Sequence, residues 1–129
     1  MADKPKSGPT DGELEILNIL WKSGPSTVRQ VNDALNLERE VGYTTTLKLM
    51  QIMTDKNLVE RDESGRTHIY RPVLQESEMQ EMFLDKVLNS AFGGSAMKLV
   101  MQALGSQKAT KEELQKIKEL IEKMEGGKK

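Results

Sequence analysis

Residues 41–72 read VGYTTTLKLMQIMTDKNLVERDESGRTHIYRP, and the fold turns on how this stretch is parsed. Over residues 43–56, Thr46, Leu49, Met50 and Met53 recur at helical spacing and make one inner face. The opposite face carries Thr44, Leu47, Lys48 and Gln51, all short or flexible. Asn57 follows, a residue type that tolerates the left-handed conformation at a helix end. Residues 58–62 and 67–71 then read as two strands flanking the turn ESGR at 63–66. A helix with a small polar outer face, leading into a hairpin tipped by Arg66, suits duplex DNA. Such a helix fits a major groove, and such a hairpin reaches the neighbouring backbone.

Working outward, residues 1–9 contain two prolines, a glycine and polar residues and read as a disordered tail. Thr10 and Glu13 have capping-box spacing and open a first helix, whose broad stripe Leu14, Ile16, Leu17, Ile19, Leu20 and Trp21 predicts burial. Ser23-Gly24-Pro25 ends it. Thr27 and Gln30 cap a second, short helix with Val28, Val31, Ala34 and Leu35 inside, and residues 36–40 make the turn into the helix at 43–56. Helix, helix, turn, helix, hairpin is the order of a winged helix-turn-helix domain, here residues 10–74. The fold class expected is therefore mainly α with a small β-hairpin wing.

Residues 75–125 change character. A fourth helix over 74–92 carries Met79, Met82, Phe83, Val87 and Ala91 on one face, and Gly93-Gly94 breaks it. Ser95 caps a fifth helix with Met97, Leu99, Val100, Met101, Ala103 and Leu104. Thr110 and Glu113 cap a sixth with Leu114, Ile117, Ile121 and Met124, and residues 126–129 read as a frayed end. The 57 residues from 73 to 129 are too few to bury three apolar helix faces alone, and no disulfide or metal staples them. A second copy is the simplest partner, and it would set two readers on a two-fold axis, as a palindromic operator requires.

Composition bounds the rest. Cysteine is absent, which excludes disulfides and cysteine metal sites and fits a reducing cytosol. No apolar run has the length of a membrane span, and MADKPKSGPT lacks a signal-peptide core, so a soluble cytoplasmic protein without membrane insertion is expected. Net charge is −1, and residues 1–72 hold 10 Lys plus Arg against 11 Asp plus Glu. If this half binds DNA, its basic side chains must be gathered on one surface. His68, the single histidine, reads as a strand residue without a catalytic partner, and Trp21 reads as core. No phosphate loop, hydrolase elbow, metal cluster or carboxylate pair stands out, so neither enzyme activity nor a cofactor is expected.

TDGELEILNILW at the start, VGYTTTLKLMQIMTDKNLV in the third helix, RTHIYRP in the wing and FGGSAMKLVM further on resemble the BlaI/MecI penicillinase-repressor family. The resemblance covers nearly the whole chain after the tail. It implies a homodimeric repressor of transcription with an N-terminal DNA reader and a helical dimerisation region. It also implies, for many members, relief through a membrane sensor-protease system that cuts within that region. The position where the best-known members carry an asparagine–phenylalanine bond falls at Met101, Gln102 and Ala103 here, with Gln-Ala in its place. The cysteine cluster of the copper-responsive branch is missing.

The residues expected to meet DNA are Tyr43, Thr44, Thr45, Leu47, Lys48 and Gln51, with Arg66 on the backbone. Those expected to dimerise are Met79, Met82, Phe83, Val87, Leu99, Ile117, Leu120 and Ile121. Two alternatives stand beside this reading: another class of winged-helix regulator, and a winged-helix protein-interaction module that never touches DNA. The second would more often expose large apolar residues on the third helix, where this chain has threonines, Lys48 and Gln51.

Overall fold

Thr10 accepts a hydrogen bond from the Glu13 amide while Glu13 accepts one from the Thr10 amide, and this reciprocal cap starts α1 (Asp11–Ser23). In the computed structural model, which describes residues 8–106 and 109–126, the remaining elements follow in the expected order. They are α2 (Val28–Leu35), α3 (Tyr43–Asp55), β1 (Val59–Asp62), β2 (Ile69–Pro72), α4 (Glu76–Ala91), α5 (Ala96–Gly105) and α6 (Lys111–Gly126). The expected N-terminal tail lies mostly outside the described residues, as do residues 127–129 of the expected C-terminal one; Gly126 itself belongs to α6.

Gly24 closes α1 at φ 86°, a conformation that suits glycine. The same reciprocal cap forms at Thr27 and Gln30 before α2 and at Thr110 and Glu113 before α6. Asn57 takes φ 64° where the chain leaves α3, as its residue type allows. β1 and β2 pair antiparallel with Val59 opposite Pro72 and Asp62 opposite Ile69. The hairpin loop is therefore six residues, 63–68, not four, and His68 lies in that loop and not in a strand. The local reason is the Asp62 side chain, which accepts from the Ser64 amide at 2.9 Å and its hydroxyl at 2.7 Å. That Asx turn draws the chain away from the ladder before pairing can continue. On its other side, Tyr70 exchanges two backbone hydrogen bonds with Ser26, at 2.8 and 3.0 Å, so β2 is tied into the helical layer.

The chain divides into two compact units, residues 1–81 and 82–129. In the first, α1, α2, α3 and the hairpin pack mutually around Ile16, Leu17, Leu20, Val31, Leu35, Met50, Met53, Leu58, Val59 and Tyr70, each at most 2% exposed. Trp21 is only partly buried, and its indole N–H donates to the Leu74 carbonyl at 2.9 Å. In the second unit, α5 and α6 hold no buried residue. The Gly93-Gly94 pair, at φ 56° and 80°, separates α4 from α5, and Ser95 caps α5 by accepting from the Lys98 amide.

Candidate nucleic-acid interface

α3 presents two chemically distinct faces. Thr46, Met50 and Met53 are buried, while Tyr43, Thr44, Thr45, Lys48 and Gln51 are exposed. Leu47, expected on the outer face, is only part-exposed because it lies against the groove between α3 and the wing. Leu49 is also intermediate, and Ile52 is more open than its apolar character suggests, at 38%. The first turn of α3 follows Gly42, which offers no side-chain cap, so its amides remain available at an exposed positive helix end.

The turn that aims α3 is held by Asn32 on α2 and by Asn36, which caps the C-terminus of that helix. Asn32, 6% exposed, donates through its amide to the Val41 carbonyl at 3.0 Å and to the Thr46 hydroxyl at 2.8 Å. Asn36 donates to the same carbonyl at 2.9 Å and accepts from the Val41 amide at 3.1 Å. Two donors on one carbonyl and a return bond fix the backbone at the entrance to α3. Asparagines four apart at the end of a short helix were the available sequence signal, but their partner at position 41 could not be inferred from spacing.

The near-zero charge balance conceals a partition among the cations. Arg39, Lys56, Arg61 and Arg71 are paired with Glu15, Glu13, Glu63 and Asp62 respectively. Of the cations on α2, α3 and the wing loop, Arg29, Lys48 and Arg66 form no ion pair, and Arg29 instead lies over the Tyr43 ring with its guanidinium carbon 4.8 Å from the centroid. Arg29, Tyr43, Leu47, Arg66 and His68 line one groove beside α3. Arg29 and His68 were missed by sequence reasoning, since neither has a local motif; the groove brings them together from 39 positions apart. The Asp62 carboxyl in the wing is held below its ordinary range, chiefly by the two Ser64 hydrogen bonds, and so stays ionised as a turn anchor. Among the described residues no cluster of His, Asp or Glu is placed to hold a metal ion.

The residues expected to dimerise are distributed unevenly. Met82, Val87, Leu120 and Ile121 are 37–55% exposed, and Phe83, Leu99 and Ile117 are part-buried. Met79 is 2% exposed and so already belongs to the core of this chain. Met101, Gln102 and Ala103 are exposed and helical, on α5. No described helix is long and apolar enough to cross a membrane.

Relatives share this architecture. A transcriptional regulator BlaI of Mycobacterium tuberculosis is 39% identical over 71 residues, 53% of this chain and 51% of that protein, so the match spans about half that relative's length. The penicillinase repressor of Bacillus licheniformis is 22% identical over 93% of this chain and 94% of its own. The solution structure of the B. licheniformis BlaI monomeric form, in complex with the blaP half-operator, superposes with a TM-score of 0.50 at 22% identity, covering 59% of this chain and 93% of that one. An Escherichia coli MarR mutant in complex with operator DNA gives a TM-score of 0.50 at 14% identity over 90% of this chain and 75% of that one, a likeness of fold alone. The family model described as penicillinase repressor matches residues 9–123, and the chain belongs to that family.

Proposed function

We propose that this chain is a sequence-specific DNA-binding repressor of transcription, acting in the cytoplasm as a homodimer on a palindromic operator. The observation that carries the reading is α3, which packs Thr46, Met50 and Met53 inward and offers Thr44, Thr45, Lys48 and Gln51 outward beside the wing loop that carries Arg66. Threonine methyl groups pack on thymine and hydroxyls donate to phosphate, while Lys48 and Gln51 reach base edges. Residues 10–74 serve as the reader and residues 75–125 as the pairing region. The unburied apolar faces of α5 and α6 support a second copy as their cover. Cleavage of α5 at Met101, Gln102 or Ala103 by a sensor-protease system would part the two readers, which then hold half-sites too weakly to block a promoter.

Fluorescence titration with DNA selected for tight binding tests the reading face. The double variant Thr45→Ala/Lys48→Ala should lose about 1–3 kcal/mol for each well-formed base contact removed. A double variant that binds like the parent refutes the assignment of this face.

A further inference from the structure

The groove beside α3, about 250 Å³ in volume, is walled by the start of α2, the start of α3 and the wing loop. It gathers Arg29, Arg66 and His68, and no carboxylate lines it. A second groove of about 430 Å³, between α1 and the α2–α3 turn, has Glu15 and Glu38 as well as Lys22 in its walls, so the cation there is matched by acid. The cationic groove borders the exposed face of α3 through Tyr43 and Leu47.

We propose that this groove seats the DNA sugar–phosphate backbone, with Arg29 contacting phosphate and Tyr43 acting as its positioning residue. This rests on the DNA-binding function proposed above. The Arg29 guanidinium lies over the Tyr43 ring at 4.8 Å. A cation–π contact of this kind uses none of the guanidinium's five N–H groups as conventional donors, so they stay available to an oxygen acceptor. Two of those can engage two oxygens of one phosphate. Because the side chain is already held, less rotamer freedom is lost when DNA arrives. Arg66 adds a second charge, and the His68 imidazole offers an N–H donor whether or not it is protonated. The Thr27 hydroxyl oxygen accepts from the Gln30 amide, a bond that leaves its O–H to donate. Arg29 sits on α2, outside the reading helix, so it supplies register and affinity and no base discrimination.

Full-length protein titrated with a selected duplex and with an unrelated duplex, each at several salt concentrations, tests this. Arg29→Ala should weaken binding to both duplexes by a similar factor, roughly tenfold, and reduce the slope of log K against log salt by about 0.9. Arg29→Lys should restore most of the slope, because the charge returns. Tyr43→Leu should weaken both duplexes in the parent and add nothing further in the Arg29→Ala background, a coupling that a merely structural tyrosine would not show. An Arg29→Ala protein that keeps affinity and slope overturns the groove assignment while leaving the repressor reading intact. Equal Tyr43→Leu losses in both backgrounds overturn the positioning role. A parent that binds no duplex overturns both this inference and the function on which it rests.

Discussion

In residues 8–81, Ile16, Leu17, Met50, Met53 and Leu58 are sealed from solvent, whereas in residues 82–126 Met97, Met101, Leu120, Ile121 and Met124 stand more than half exposed. Both regions are helical, both use side-chain N-caps, and both repeat apolar residues at helical spacing. Helix formation is therefore met locally in each, and what differs is whether the apolar stripe finds a partner inside the chain. The first unit closes its core with a hairpin whose strands pack on α1 and α3 and which is bridged to Ser26. α5 and α6 have no such element, and their uncovered surface is of the kind that marks an interaction site in a soluble protein. Stability of the first unit should then be independent of concentration, and order in the second should depend on it.

The largest effect expected from this contrast is at Leu120. It is 55% exposed in the single chain, so replacement by aspartate should leave an isolated copy nearly untouched. At a two-fold interface the loss is doubled: the burial of the open half of two leucines is forfeited and two carboxylates are desolvated, together roughly 3–6 kcal/mol, about 10²- to 10⁴-fold in dimer affinity. Light scattering should show Leu120→Asp as monomer where the parent is a dimer. Trp21, the single tryptophan and part of the first unit, should keep its native fluorescence. A parent that is monomeric at micromolar concentration, or a variant that still pairs, breaks the comparison.

Leu17→Ala probes the other side of it. Leu17 is 0% exposed in α1, and a buried leucine truncated to alanine costs about 2–5 kcal/mol through lost transfer energy and the cavity left behind. Denaturant unfolding followed by Trp21 fluorescence should give that loss at every protein concentration. A loss that grows as the protein is diluted would mean that the first unit also draws its stability from pairing.

What the sequence disclosed follows the range of the interactions concerned. The caps at Thr10, Thr27 and Thr110 involve partners three residues away, and the inner face of α3 is a matter of period. The left-handed Asn57 is fixed by its own residue type at a helix end. The hairpin loop came out two residues longer than its glycine suggested, because the side chain of Asp62 competes with the ladder for the Ser64 amide. Met79 continues the apolar stripe of α4, yet it is buried in this chain while Met82 is not, a distinction that periodicity does not carry. The stack of Arg29 on Tyr43 and the hold of Asn32 and Asn36 on Val41 join residues brought near by the packing of α2 on α3. Their positions in the chain give no regular interval from which to infer them.

The smallest effect concerns an ion pair that helps the first unit stand alone. All the ion pairs among the described residues lie in that unit, and one of them, Lys56 Nζ to Glu13 Oε1 at 2.6 Å, joins the end of α3 to the start of α1. Burial is the largest single influence on the Glu13 carboxyl and pushes its pKa up. The hydrogen bond from Lys56, the Thr10 amide and the lysine charge together outweigh it and hold the carboxyl below its ordinary value. A depressed folded pKa means stability that is present above the unfolded glutamate pKa, about 4.3, and is lost as pH falls below it. Lys56→Met removes the ammonium and leaves a carboxylate on a residue 2% exposed, held by Thr10 alone through its amide and side chain. The expected loss is about 1–3 kcal/mol at pH 7, less than for a fully buried pair because Lys56 is 23% exposed. In the variant, burial favours the protonated acid, so acidification relieves the unpaired charge while it weakens the parent. The stability gap between the two proteins, read from Trp21 fluorescence in denaturant, should therefore be widest near neutral pH and close below about pH 4. A gap that stays constant from pH 7 to pH 3.5 would show that Lys56 acts through its alkyl stem, and that the first unit does not depend on this charge pair.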